Sequence, residues 1–363
     1  MRIAVIGGGI FGVTAAVELA KELHAVTLFE KNPSILQGAT PRSQNRLHLG
    51  LHYPRDLATA RQSILGFKEF GHVFGDAVYG GFPNYYAISN HASKVDPSEF
   101  VGFCALAGIK IDSVTDGPVL PNGVKVKNIS GLWTCGEGVI DMKVLREILE
   151  DMLAKQKIEV QLGTEVSRLV ETDNGWILES KTGTLGQFDL VVRCTYSSDL
   201  IEMHSRSFVP FPRIFHKTLI QVVESKQNRF GITIIDGDFL TVLPHGFSKK
   251  LLSYGPSIST RQKAESYSRP VDWVDSSEAD IMDFQSQMKK RIDYWLEDWD
   301  YEITSEYLET IRTIEVGVES TDRRTSHVKI SAPRLIEVWS GKIDHAVEIS
   351  KLIPKMVSRF RSV

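Results

Sequence analysis

The sequence predicts an α/β fold of two interleaved lobes, and three observations carry that reading. The chain opens as strand, glycine turn, helix and strand over residues 2–29. Its 363 residues exceed the ~250–300 at which a single core stops growing. The opening rhythm then returns at 140–206 and at 325–363. Segments 1–75, 140–206 and 325–363 therefore read as one discontinuous lobe. Segments 76–139 and 207–324 read as a second, α+β lobe built on a mixed sheet.

Each element follows from local chemistry. Arg2-Ile3-Ala4-Val5-Ile6 is an apolar, β-rich run, Gly7-Gly8-Gly9-Ile10-Phe11-Gly12 ends it, and Val13 to Ala20 continues as helix. Ala25 to Phe29 is the next strand, ending on Glu30 and completing a βαβ unit. Residues 32–54 are polar and aperiodic, long for a loop, which marks a functional segment. A helix is expected from its N-cap Asp56 to Phe70, with Leu57, Ile64, Phe67 and Phe70 near one face. Short strands with Gly/Pro punctuation fill 76–139. A helix from Met142 to about Gln156 and a strand at Ile158 to Leu162 restore the rhythm, and Trp176 to Glu179 and Leu190 to Val192 are further strands. Between Phe208 and Asp322, mixed strands accompany one helix, Asp280 to Glu297, that buries Trp295 and Leu296. Leu335 to Trp339, the turn Ser340-Gly341-Lys342 and Ile343 to about Ile353 close the chain as strand, turn and helix.

Composition narrows the function. With 42 Lys+Arg against 45 Asp+Glu, the net charge of -3 supplies no footprint for nucleic acid. No apolar run reaches the ~18 residues of a membrane span, and a strand beginning at Arg2 leaves no room for a secretory leader. The expected compartment is the cytoplasm. Cys104, Cys135 and Cys194 are scattered, which indicates neither a disulfide framework nor a zinc site, and no metal is expected. The partner is a small molecule; a homodimer is compatible with the sequence, and the electron acceptor stays open.

Gly7, Gly9 and Gly12 have the Gly-x-Gly-x-x-Gly spacing of a Rossmann-like turn. Gly7 permits the tight turn, Gly9 lets the backbone approach a pyrophosphate, and Gly12 lets helix pack on strand. Ile10 and Phe11 open the helix whose free N–H groups face the phosphates. Glu30, followed by Lys31, stands where an acid accepts hydrogen bonds from ribose hydroxyls and repels a 2′-phosphate. A bound dinucleotide follows, and NADP is disfavoured. FAD is preferred over NAD because the late return of the chain would aim the N–H groups of Gly341, Lys342 and Ile343 at a second anionic position, suited to N1 and the C2 carbonyl of a flavin.

These residues resemble the FAD-dependent oxidoreductases of the D-amino-acid oxidase-like superfamily, over essentially the whole chain. The glycine run with Glu30-Lys31, Val139-Ile140-Asp141 opening a helix, Leu190-Val191-Val192 and Ser340-Gly341-Lys342 all match. The resemblance implies a Rossmann-like FAD-binding domain of glutathione-reductase type with an interleaved substrate domain. Asn45-Arg46-Leu47-His48-Leu49-Gly50-Leu51-His52-Tyr53 looks most like the flavin loop of the L-2-hydroxyglutarate dehydrogenase-like branch and of its relatives associated with polysaccharide and other biosynthetic gene sets. It makes Thr40, Gln44, Asn45, Arg46 and Leu47 candidate flavin contacts, with Val166 and Thr195 on neighbouring segments. Two segments depart from the pattern: Cys194-Thr195-Tyr196 replaces Ala-Thr-Gly, and Arg46 replaces a small residue.

Flavin chemistry needs a group that removes the proton of a substrate O–H or N–H. His48 and His52 are the candidates by loop position, and covalent flavin attachment through His48 stays open. An anionic substrate needs a fixed cation. Arg312 is the first candidate, with Arg323, Arg324, Arg46 and Arg55 as competitors, while Lys342 suits N1 and C2=O. The expected activity is hydride removal from a C–H bearing a hydroxyl or amine on a small polar, anionic or sugar-like substrate in a biosynthetic pathway. The alternatives are a non-redox flavoenzyme similar to UDP-galactopyranose mutase and a flavin-binding protein without turnover.

Overall fold

Apolar runs with a two-residue period set the first sheet. β1 (Arg2–Ile6) pairs in parallel with β2 (Ala25–Phe29) and with Leu190–Arg193, so that Val5 sits between Leu28 and Val192. Glu159–Gln161 extends the sheet beside β2, and Leu335–Trp339 beside Leu190–Arg193. The antiparallel strand His327–Ala332 ends this six-stranded sheet. The structure, a computed structural model, describes residues 1–115, 117–120, 123–197, 200–227, 229–235, 237–318 and 323–360.

Both faces of the sheet are covered. Ile3 and Val5 point into a core shared with α1 (Ile10–Lys21) and with the helices Met142–Lys155 and Ala346–Val357. Ala4 and Ile6 point the other way, onto Trp176 and Leu178 of a four-stranded sheet over residues 168–204. Burial on both faces explains why these strands read as continuous apolar runs.

A nine-stranded mixed sheet takes its strands from residues 84–135 and 213–315. Its spine is Arg213–Ser225, paired along most of its length with Tyr301–Glu315, and among the described residues the one parallel pairing joins Gly231–Ile235 to Asn84–Ser89. Helix Glu278–Trp295 buries Phe284, Met288, Ile292 and Trp295 against it. A small sheet of Arg46–Leu47, Gly138–Ile140 and Val78–Tyr79 ties the 32–54 loop to the start of helix Met142–Lys155. Among the described residues, no helix is long and apolar enough to cross a membrane.

α2 (Leu57–Phe74) is capped by Asp56, whose side chain accepts from the Thr59 N–H at 2.8 Å. Its buried face differs from the expected one: Thr59, Ala60, Ser63, Gly66, Phe70 and Phe74 are buried, whereas Leu57, Ile64 and Phe67 are only partly so. The reason is backbone proximity. A Cβ on Gly66 would lie 2.8 Å from the Asp344 carbonyl oxygen, so the C-terminal turn seats on a stripe of small residues. The C-terminal helix is likewise split into a 3₁₀ turn at Ile343–His345 and the helix proper.

Candidate active site

The ends of the parallel strands converge. Gly7 follows β1, Glu30 follows β2, Cys194-Thr195 follows Leu190–Arg193, and Ser340-Gly341-Lys342 follows Leu335–Trp339. All of them line one cavity of about 890 Å³. Glu30 and Lys342 are three strand spacings apart in the sheet order, about 14 Å, so the cavity runs across the carboxyl edge, where ligands of open α/β sheets sit.

The β2 side is built for a dinucleotide. Gly7 has φ +109°, and a Cβ there would meet the Cys194 carbonyl oxygen at 2.6 Å. A Cβ on Gly12 would lie 1.8 Å from the Gly7 oxygen, which makes it the residue of helix–strand contact. A Cβ on Gly9 would meet only Thr40 Oγ1, at 3.4 Å. Gly9 caps α1 without a side chain and no acid stands in the first turn; the Ile10 N–H reaches Thr40 Oγ1 at a long 3.4 Å, a contact that an anion at this helix start can replace. The Glu30 carboxylate accepts from the Gly8 N–H at 2.6 Å and from the Asn32 N–H at 2.8 Å, which orients it. The side-chain nitrogens of Gln44 and Asn45 are buried without a hydrogen-bond partner and line the same cavity. Unmet buried donors of this kind suit a long, polar, anionic ligand.

The other side is a buried polar cluster. Arg46 is turned inward: it donates to the Tyr86 hydroxyl at 2.6 Å and to Thr233, and lies 3.7 Å from Glu137. Glu137 accepts from the Leu49 N–H at 2.7 Å and the Tyr86 hydroxyl at 2.9 Å. His52 reaches Tyr86 through Nδ1 at 3.2 Å and Lys342 Nζ through Nε2 at 3.4 Å. His48 accepts from the Gly50 N–H at 3.0 Å, and its Nε2 faces Asp344 Oδ1 at 3.7 Å. Burial, with the Lys342 charge next, holds both imidazoles well below their usual value, so both are neutral near pH 7. Burial and the charge of Arg312 likewise push the Lys342 ammonium well down. Burial raises the Asp344 carboxyl to about 8.

Arg312 lines the cavity opposite His216, donating to the Tyr254 hydroxyl with its guanidinium over that ring. Among the described residues no carboxylate pairs with it. Arg55 and Arg324 also line the cavity, whereas Arg323 is exposed and does not.

Most sequence-expected residues meet here: Gly7, Gly9, Ile10, Phe11, Glu30, Lys31, Thr40, Gln44, Asn45, Arg46, His48, His52, Val166, Thr195, Arg312, Gly341, Lys342 and Ile343 all line the cavity. Leu47 does not. Its side chain packs in the core on the far side of its short strand, the alternation that brings Arg46 inward. The Gly341 N–H is also spent, donating to Ser326 Oγ at 2.7 Å, and a Cβ there would lie 2.0 Å from the Arg324 oxygen. Arg46 cannot serve as an anion clamp with its charge met by Glu137. Glu137, Tyr86, Tyr254 and Asp344 escaped the sequence reading. The one available signal was Glu137 itself, an acid in the apolar stretch Cys135 to Ile140.

The sequence profile of the FAD dependent oxidoreductase (DAO) family matches residues 2–304. The chain belongs to this family. The oxidoreductase is 27% identical over 353 residues to the FAD-dependent monooxygenase FPY4 of Fusarium mangiferae, covering 94% of this chain and 87% of that protein. It is 26% identical over 250 residues to the FAD-dependent monooxygenase kojA of Aspergillus flavus, covering 67% and 58%. Among solved structures it superposes on glycine oxidase from Geobacillus kaustophilus with a TM-score of 0.69 at 14% identity, covering 98% and 94% of the two chains. On L-proline dehydrogenase from P. horikoshii the TM-score is 0.72 at 14% identity, covering 99% and 93%. These two likenesses show the α/β fold; the family membership shows the cofactor, FAD.

Proposed function

We propose that the oxidoreductase removes a hydride from a C–H bearing a hydroxyl or amine on a small polar, anionic or sugar-like substrate. The observation that carries this is the single cavity that joins the uncapped start of α1 and Glu30 to His52, Arg312 and Lys342. On this reading segments 1–75, 140–206 and 325–363 form the FAD lobe, and segments 76–139 and 207–324 form the substrate lobe. Bound FAD supplies the two-electron acceptor. Gly9, Ile10 and Phe11 hold its phosphates, Glu30 its ribose, and Gln44 and Asn45 donate to its polar edge. Arg312, stiffened by Tyr254, clamps the anionic group of the substrate. A neutral imidazole of the His48/His52 pair takes the substrate proton, and Lys342 supports the polar edge of the ring system.

The test is anaerobic mixing of the flavin-loaded protein with hydroxy acids, amino acids and nucleotide sugars, following the band near ~450 nm. One class should bleach it; bleaching by none counts against hydride removal. The similarity to FAD-dependent monooxygenases supports a second reading. In that case the band bleaches only with an external reductant, and labelled dioxygen delivers an atom to the product. Turnover that needs pre-reduced flavin and transfers no net electrons would indicate the non-redox alternative instead.

A further inference from the structure

His48 and His52 both line the cavity, and their partners decide which nitrogen of each ring carries the proton. The Gly50 N–H donates to His48 Nδ1 at 3.0 Å, so the proton of that neutral ring sits on Nε2, which faces Asp344. His48 offers an N–H there, not a lone pair.

His52 is held the other way round. Its Nδ1 lies 3.2 Å from the Tyr86 oxygen, which also contacts Arg46 NH1 at 2.6 Å and Glu137 Oε2 at 2.9 Å. A guanidinium only donates, so the Tyr86 oxygen accepts from Arg46. An ionised carboxylate only accepts, so the single phenol proton goes to Glu137. Burial raises the Glu137 carboxyl from its ordinary value, while Arg46 at 3.7 Å, the Leu49 N–H at 2.7 Å and the Tyr86 hydroxyl pull the other way and favour the ionised form. With its proton committed, Tyr86 has only a lone pair for His52, and the ring must donate from Nδ1. Arg46 NH1 lies 3.5 Å from that nitrogen, at the outer limit of a hydrogen bond and well beyond its contact with the phenol. Nε2 keeps its lone pair, which accepts from Lys342 Nζ at 3.4 Å, a long contact that a substrate O–H or N–H can replace.

We propose that His52 Nε2 is the base for the substrate proton, and that Glu137 is a positioning residue which fixes this tautomer through Tyr86. The proposal rests on the functional reading above. The substrate O–H or N–H gives its proton to Nε2 while the C–H bond breaks and its electron pair leaves to the cofactor. The substrate becomes a carbonyl or imine, and FAD is reduced by two electrons. The charged and titratable groups that face His52 are Lys342, Arg46, Arg324 and His48, and the rings of Tyr53 and Phe239 enclose it. Burial and those charges keep the ring unprotonated before substrate arrives. The imidazolium formed afterwards is one phenol away from the Glu137 carboxylate, the same logic by which a buried acid orients a catalytic histidine in other folds.

Glu137→Gln tests this. A glutamine amide can donate to the Tyr86 oxygen, which turns the phenol proton toward His52 Nδ1 and moves the ring proton to Nε2. Nitrogen-15 NMR of the histidine-labelled protein, with the His52 signal assigned by its loss in His52→Gln, should show Nδ1–H in the parent and Nε2–H in Glu137→Gln. Flavin reduction should slow by about 10²–10⁴-fold, the range that a positioned general base contributes, with flavin content and melting temperature close to parent. If Glu137→Gln does not fold, Tyr86→Phe takes its place and should lower the Nδ1–H population and the rate together. Nε2–H in the parent, or an unchanged tautomer and rate in the variant, overturns the proposal while leaving hydride removal intact. The assigned tautomer in a protein whose flavin no donor reduces overturns the functional reading instead.

Discussion

At Tyr196 the backbone takes φ +50°, the left-handed conformation for which the superfamily pattern supplies glycine. A tyrosine there costs about 1–2 kcal/mol of strain, and the surroundings hold it: its hydroxyl accepts from the Thr313 N–H at 3.2 Å and its carbonyl from Arg213 at 3.0 Å. The turn keeps its shape, so Gly7 still meets Cys194 closely. Asp344 is the other residue under tension, fully buried, with both carboxylate oxygens lacking a hydrogen-bond partner. The folded chain keeps that proton up to about pH 8, whereas the unfolded chain releases it near ~4. The folded state therefore binds the extra proton in this window, and Asp344 makes stability fall as pH rises through it. His48, His52 and His345, the last held down to about 3, act with the opposite sign, costing stability as pH falls below ~6.5. Asp344→Asn should remove only the first dependence. Its melting temperature should exceed the parent's at pH 8, with the gap closing toward pH 4; a gap independent of pH would sink the assignment. Arg312→Met should lower kcat/KM for an anionic donor about 10–100-fold, since a hydrogen bond to a charged group is worth about 1.5–3 kcal/mol. An equal effect on an uncharged donor would remove Arg312 from substrate recognition.

At the scale of elements, helix starts divide the chain. α2 is capped by Asp56, and the helices Pro97–Ala107, Met142–Lys155 and Glu278–Trp295 by Asp96, Asp141 and Ser277. α1 and the C-terminal 3₁₀–helix unit lack side-chain caps, and both begin at the cavity. Orphan N–H groups at a helix start need a partner; Ser326 Oγ takes the Gly341 N–H at the C-terminal unit, and at α1 the proposed partner is the cofactor diphosphate. Gly9→Asp puts a carboxylate where the pyrophosphate belongs, yet its Cβ has only Thr40 Oγ1 to displace. The variant should fold and be purified without flavin; a full complement of FAD measured on it would refute the phosphate site. Caps and periods made the elements legible: the helix expected from Met142 to about Gln156 runs Met142–Lys155. α2 was legible at its start but runs on past Phe70 to Phe74, and its orientation was not legible, because hydrophobic periodicity follows large side chains while its seat against Asp344 uses small ones. The Glu137–Tyr86–His52 chain was not legible, since the three residues come from three separate segments and only the mixed sheet and the 32–54 loop bring them together.

Over the whole molecule the net charge of -3 conceals a segregation. The cavity is lined by Lys31, Arg42, Arg46, Arg55, Lys181, Arg312, Arg324 and Lys342 against only Glu30 and Glu165. Glu137 answers Arg46, and on the proposed reading the cofactor diphosphate at the start of α1 answers part of the rest, leaving Arg312 and Lys342. The acids outnumber the cations on the rest of the chain, so the cavity concentrates positive charge where an anionic donor would enter. Concave sites of one sign focus the field and speed the arrival of opposite charge, an effect that salt screens over about 8–10 Å. The second-order rate of flavin reduction by an anionic donor should therefore fall several-fold between roughly 0.02 and 0.2 M salt, while a neutral analogue of the same donor should change little. Stopped-flow traces at a fixed low donor concentration read this directly, apart from any change in the limiting rate at saturation. Equal salt sensitivity for both donors would mean that the cations serve the cofactor alone, and that the substrate is recognised by shape and hydrogen bonds rather than by charge.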